Sequence, residues 1–213
     1  MNKIACVITA GGIGSRFDCN TPKQFYKINN KFILQITIEK FLQITNNLIV
    51  VIPKQSEEFF RQNFKNISFV IGGNTRQESV LKGLQFLENS NPDFVLITDG
   101  VRPFVSQNLI KNIIHELQNG ESGVIPALKI QDTIKKIENG YVKETLNREE
   151  IFAIQTPQGF KFKIILDLHK QMQSLNLTDD SLLFEKANIK VKIIEGEKSN
   201  IKITTKEDIL KFI

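Results

Sequence analysis

Several stretches of this chain carry residue types that handle phosphate. The first is the glycine-rich run Ala10-Gly11-Gly12-Ile13-Gly14-Ser15-Arg16, followed by Lys23 inside Pro22-Lys23-Gln24. Three glycines let a backbone approach a ligand closely and aim several N–H groups at it. Arg16 offers a forked donor and Lys23 a compact positive charge. Together they can hold a triphosphate and neutralise charge as its α-phosphorus is attacked; a plain turn carrying two solvated cations is the alternative. A second glycine turn, Gly72-Gly73-Asn74-Thr75-Arg76-Gln77-Glu78-Ser79, leads into a helix. Asp99 offers a carboxylate that can orient a metal or a polar group, and Asn200-Ile201-Lys202-Ile203-Thr204-Thr205 a further lysine. Thr178-Asp179-Asp180 either caps a helix or presents a hydroxyl. Two common phosphate motifs are excluded: Phe17 holds the place of the third glycine in G-x-G-x-x-G, and no Gly-Lys-Ser/Thr tripeptide occurs.

These segments need elements to position them. Ile4 to Thr9, Leu48 to Ile52, Phe69 to Ile71, Phe94 to Ile97 and Gly123 to Pro126 are short apolar runs that predict buried strands. Amphipathic stretches at Ile33 to Ile44, Glu57 to Phe64, Gln77 to Asn89 and Gln107 to Asn119 predict helices between them. Strands alternating with helices imply an α/β fold with a mostly parallel sheet and helices on both faces. Ligands then bind at the carboxyl ends of the strands, where the unusual residues fall. After residue 129 the pattern changes. Ile130 to Ile137, the turn signal Glu138-Asn139-Gly140 and Tyr141 to Thr145 predict a β-hairpin, which needs a packing partner to be stable. No linker or repeat divides residues 1–213, so a single domain with an arm at about 129–150 is expected.

The totals agree with this. With 213 residues, 41% hydrophobic and 24% charged, the chain can bury a core without disulfides. Cys6 and Cys19 are spaced as neither a metal clip nor a redox pair. The leader Met1-Asn2-Lys3 is short and no stretch approaches the ~18 apolar residues of a membrane span, so a cytoplasmic location without membrane contact is expected. The net charge of +5 comes from scattered lysines, and with no Trp and two Tyr the stacking groups of a nucleic-acid surface are few. No nucleic-acid partner is expected. His115 and His169 fall in expected helices away from any motif and read as helix-surface residues.

Taken in order, AGGIGSR, PKQF, GGNTRQESV, DGVRPF, QDTIKK, Asn147-Arg148, QTPQGF, LTDD and NIKITTKED resemble the 2-C-methyl-D-erythritol 4-phosphate cytidylyltransferase family, from about Ile4 to Asp208. The stretch from Gly123 to Phe160 is most similar to members from α-proteobacteria, some fused to a downstream cyclase. The resemblance implies a Rossmann-like nucleotidyltransferase domain and a homodimer in which the hairpin arm embraces the neighbouring subunit. It implies transfer of CMP from CTP to a sugar-alcohol phosphate, with Mg²⁺ as cofactor. Arg16, Lys23, Lys202 and Arg148 match its catalytic positions. Ala10, Gly11, Gly12, Gly73, Asn74, Ser79, Asp99 and Gly100 match the nucleotide-binding positions, with Asp99 as metal contact. Arg102, Thr133, Arg148, Thr156 and Thr178 match positions around the sugar phosphate, Arg148 reaching across from the second subunit. The chain departs from the family at Thr98-Asp99-Gly100-Val101, commonly His-Asp-Ala-Ala, at Phe17-Asp18, commonly Met-Gly, and at Asn74. A short last helix is also expected. A ribitol-5-phosphate cytidylyltransferase is the nearest alternative, and a non-catalytic nucleotide- or RNA-binding protein a more distant one.

Overall fold

The structure, a computed structural model, describes residues 2–11, 22–173 and 177–210. Among these the strands are β1 Ile4–Thr9, β2 Lys27–Ile28, β3 Lys31–Phe32, β4 Leu48–Ile52, β5 Phe69–Ile71, β6 Phe94–Asp99, β7 Gly123–Lys129, β8 Lys135–Glu138, β9 Tyr141–Thr145, β10 Phe152–Ile154, β11 Gln158–Lys161 and β12 Lys192–Glu195. The α-helices are α1 Ile33–Leu42, α2 Glu57–Asn63, α3 Arg76–Glu88, α4 Gln107–Gln118, α5 Phe162–Gln171, α6 Ser181–Lys186 and α7 Glu207–Leu210.

The two-residue period of a strand sends alternate side chains to opposite faces of the sheet, and the core divides accordingly. Cys6, Ile8, Val50, Ile52 and Leu96 join one apolar cluster with α1, α2 and α4 residues such as Phe41, Phe60 and Ile113. Ala5, Val7, Ile49, Val51, Val95 and Ile97 join the other, with Leu84 of α3, Ile165 of α5 and Phe184 of α6. Strands covered on both faces read as unbroken apolar runs, which is why β1, β4 and β6 are legible in the sequence. Caps fix two helix starts: the Thr75 side chain accepts from Glu78 N for α3, and Ser106 from Leu109 N for α4. Each such cap contributes about 1 kcal/mol.

The main sheet has the order β10-β7-β11-β6-β1-β4-β5, with β12 also paired to β7. β1, β4, β5 and β6 are mutually parallel where they pair, whereas β11 lies antiparallel between β6 and β7. The expected fold class holds, with longer β6 and β7 and five strands among the described residues, β2, β3, β10, β11 and β12, outside the expected set. Gly159 explains how β11 fits: a Cβ there would lie 2.4 Å from Ile113 Cγ2 and 2.9 Å from Leu117 Cδ1. Helix α4 can cross this strand closely because the residue beneath it is glycine.

The hairpin β8–β9 forms a separate two-stranded sheet whose residues are all exposed. Its turn uses Asn139 and Gly140 at positive φ (50° and 84°), the geometry that matches strand twist in a tight hairpin. The first strand begins at Lys135 rather than Ile130. Ile137 and Val142, paired across the two strands, are 56% and 61% exposed on one face, and Tyr141 is 80% exposed on the other. Among the described residues no helix is long and apolar enough to cross a membrane.

Candidate active site

The carboxyl ends of β1, β4, β5 and β6 open onto a cavity of about 340 Å³. Backbone hydrogen bonds carry the sheet one step further: Ala10 N to Val51 O, Gly72 N to Ile52 O and Gly100 N to Thr9 O, each 2.8 Å. These bonds fix where the loops leave the sheet. Ala10, Gly11, Lys23, Gly73, Asn74, Ser79, Asp99 and Lys202 all line the cavity, so residues from five parts of the chain meet there as expected. Gly12 and Arg16 lie outside the described residues. Gly100 does not line the cavity. A Cβ on it would lie 2.8 Å from Leu34 Cδ1, so its smallness serves the close approach of α1, and its carbonyl accepts from Thr37 Oγ1 at 3.1 Å.

Local chemistry shapes each wall. Lys23 starts a short 3₁₀ turn, Lys23–Phe25, tied to the first loop by buried Gln24, whose Nε2 donates to Ala10 O at 2.8 Å. In the second loop Ser79 Oγ accepts from Gly73 N at 3.1 Å, and a Glu78 carboxylate oxygen accepts from Asn74 N at 2.7 Å. The turn is therefore folded back on the first turn of α3, with its remaining backbone against the cavity.

A second cavity, of about 550 Å³, adjoins the first. Arg102, Thr156 and Thr178 line it. Arg76, Asp99 and Lys202 line both cavities and form the wall between them. Thr133 and Arg148 do not enter either cavity within this chain. Thr133 is exposed, and Arg148, half-exposed at the base of the arm, donates from Nη1 to Gln131 O at 2.8 Å.

Asp99 is the electrostatic centre of the wall. Lys202 Nζ is 3.1 Å and Arg102 Nε 3.3 Å from the same oxygen, Oδ2. Thr156 Oγ1 accepts from Asp99 N at 3.1 Å. Burial acts to raise the carboxyl pKa, and the charges of Lys202, Arg102 and Arg76 outweigh it, holding Asp99 ionised below its ordinary value. Burial conversely pulls the Arg102 guanidinium down, against the opposing pull of Asp99.

Residue-by-residue reasoning misses Arg76 as a site residue and misplaces His169. Arg76 Nη2 meets Asp180 Oδ2 at 2.5 Å, and Asp180 Oδ1 lies 3.2 Å from His169 Nε2. Both Asp180 and His169 are fully buried, so His169 is not a helix-surface residue: it faces inward from α5 on the apolar side of that helix and backs the carboxylate. Burial raises the Asp180 carboxyl, but Arg76 and His169 overcome this and bring it down to about 2. His115 is exposed, as expected. Asp180 holds the N-cap position of α6, but its side chain makes no cap bond; Asp179 Oδ1 accepts from Leu182 N instead, leaving Asp180 to pair with Arg76.

Comparison with known proteins shows the family and the fold. The family described as IspD, 2-C-methyl-D-erythritol 4-phosphate cytidylyltransferase, matches residues 4–212. A bifunctional enzyme IspD/IspF from Wolbachia pipientis wMel is 42% identical over 216 aligned positions, covering 97% of this chain and 54% of that protein. The chain thus spans about half the length of its bifunctional relatives. A 2-C-methyl-D-erythritol 4-phosphate cytidylyltransferase from Clostridioides difficile is 39% identical, covering 95% of this chain and 89% of its own. The crystal structure of 4-diphosphocytidyl-2C-methyl-D-erythritol synthase from Anaerococcus prevotii superposes with a TM-score of 0.83 at 36% identity, covering 99% of this chain and 96% of that one. By sequence and fold, the chain belongs to the 2-C-methyl-D-erythritol 4-phosphate cytidylyltransferase family.

Proposed function

We propose that this protein transfers CMP from CTP to 2-C-methyl-D-erythritol 4-phosphate, giving 4-diphosphocytidyl-2-C-methyl-D-erythritol and pyrophosphate. The observation that carries the reading is the pair of cavities sharing one charged wall of Arg76, Asp99 and Lys202. A nucleotide in the first and a sugar phosphate in the second would bring their reacting phosphates together at that wall. An oxygen of the sugar phosphate attacks the α-phosphorus, a new P–O bond forms, and the bond to the bridging α–β oxygen breaks, releasing pyrophosphate. A phosphate monoester is largely ionised near neutral pH, so no strong general base is required. That suits a site rich in cations. Lys23 and Lys202, with Arg16 of the same loop, hold the phosphates and neutralise charge as it moves to the leaving group.

The residues fit a Mg²⁺ cofactor. Such an ion is commonly held by one or two carboxylates, with phosphate oxygens and water completing its shell, and Asp99, which lines both cavities, supplies one carboxylate. When bound, the ion supplies further neutralisation of the phosphate oxygens. The exposed apolar residues of the hairpin, Ile137 and Val142 on one face and Tyr141 on the other, support a homodimer through this arm, which would carry Thr133 and Arg148 toward the partner's second cavity. We place the protein in the cytoplasm. Pyrophosphate release tests the function: CTP with methylerythritol phosphate is expected to react, and CTP with ribitol 5-phosphate or alone is not. Release with ribitol phosphate instead would move the chain to the sister activity, and CTP binding without release to a binding protein.

A further inference from the structure

From the end of β10 into the first residue of β11 the chain passes through Gln155-Thr156-Pro157-Gln158, and Gln155 and Gln158 are 7% and 0% exposed. Each of these amides both donates to and accepts from a single loop. Gln155 Nε2 donates to Glu197 O at 2.8 Å and Asn200 O at 3.3 Å, while its Oε1 accepts from Glu197 N at 3.0 Å. Gln158 Nε2 donates to Asp179 Oδ2 at 2.9 Å, while its Oε1 accepts from Asp180 N at 3.2 Å. The first loop runs on to Lys202, and its Asn200 carbonyl also takes Arg102 Nη1 at 2.7 Å. The second loop carries Thr178, and Asp180 within it holds Arg76. Both glutamines are themselves anchored to the sheet: Gln155 N donates to Pro126 O at 2.8 Å, and Gln158 is registered against Ile97 of β6. One short segment thus holds both sides of the second cavity.

We propose that Gln155 and Gln158 are positioning residues that clamp the two loops bordering the acceptor cavity. Gln155 sets Lys202 and Arg102, and Gln158 sets Thr178 and Arg76, each through an amide that donates and accepts at once. This rests on the reading of the second cavity as the acceptor site. Neither glutamine touches the reacting atoms. An ionised glutamate of the same length keeps the acceptor but loses the donor, and it would face the carbonyls of Glu197 and Asn200 or the carboxylate of Asp179. A protonated glutamate again has one O–H donor and one carbonyl acceptor. Burial and these neighbours raise such a carboxyl toward neutral pH.

The test uses the full chain with Gln155→Glu, Gln158→Glu, Gln155→Met and Gln158→Met. Pyrophosphate release is measured against both substrates from roughly pH 5 to 8, alongside amide hydrogen exchange. At the upper end each glutamate variant is expected to lose about tenfold to a hundredfold in kcat/KM against the wild type at the same pH, the gap closing as pH falls. Gln155→Glu should act mainly on kcat and Gln158→Glu on the KM of the sugar phosphate. The methionine variants should show the loss without the gap closing. Exchange should quicken at the Glu197 amide in Gln155→Met and at the Asp180 amide in Gln158→Met, where the acceptor is gone, each leaving the other site protected. Unchanged exchange in the methionine variants overturns the clamp. So do wild-type kinetics in loosened loops, or a loss that follows the folded fraction with KM and kcat per folded molecule intact. Should a glutamate variant fail to fold, the methionine variants decide. Exchange reads the clamp without turnover, so a wild-type protein that releases no pyrophosphate sinks the functional reading alone.

Discussion

Replacing Asp180 by asparagine keeps the shape of a fully buried group and removes its charge. In the wild type that carboxyl sits at about 2 against an ordinary 3.8, because Arg76 and His169 overcome the cost of its burial. The gap, at about 1.4 kcal/mol for each factor of ten, corresponds to roughly 2 kcal/mol of folding stability. The sign follows from the depressed folded value. The contribution is fully present above the unfolded value near 4, about half of it is gone at pH 3, and it is lost as pH falls through 2. The asparagine variant should therefore be destabilised at pH 7 by about 2 kcal/mol, or somewhat more, because the part-buried Arg76 guanidinium is left without its anion. Its deficit should shrink by about 1 kcal/mol between pH 7 and pH 3. Urea unfolding of both proteins across that range measures the difference, in which the other carboxyls cancel to a first approximation. A deficit equally large at pH 3 and pH 7 would refute the reasoning, since the pair would then contribute through packing and not charge.

Lys23→Ala, Lys202→Ala and Arg16→Ala should each lower pyrophosphate release by about 10²–10³ in a folded protein; near-wild-type turnover in all three would remove them from the chemistry. Chelation of divalent cations should abolish turnover, and added Mg²⁺ should restore it. Gly159→Ala should cost about 1–3 kcal/mol, read as a lowered thermal midpoint, because its methyl would meet Ile113 and Leu117. Tyr141→Asp with Val142→Asp should shift the sedimentation of the protein toward the monomer, and an unchanged value would locate any dimer contact elsewhere.

The sequence by itself determined the parallel half of the sheet and the loops at its carboxyl ends. Doubly covered strands such as β1, β4 and β6 must be apolar throughout, and the glycines and charges that follow them have few structural reasons to be there. It was silent on β11 and β12. Gln158-Gly159-Phe160-Lys161 and Lys192-Ile193-Ile194-Glu195 carry polar and glycine residues that read as loop, and only the neighbours β6, β7 and α4 make them strands. His169 was misread although Phe162, Ile165, Leu166 and His169 follow the i, i+3, i+4, i+7 period of a buried helix face; its partner Asp180 is what only the fold supplies. Thr133 and Arg148 have no place in either cavity of a single chain, so their assignment stays with the resemblance. Tertiary structure alone decided that Arg76, Asp99 and Lys202 form one wall between two cavities. The contacts that build it join residues as far apart as Arg76 and Asp180 or Asp99 and Lys202. Spacing along a chain carries local geometry, whereas such pairings exist only once the sheet has set the distance between its strand ends.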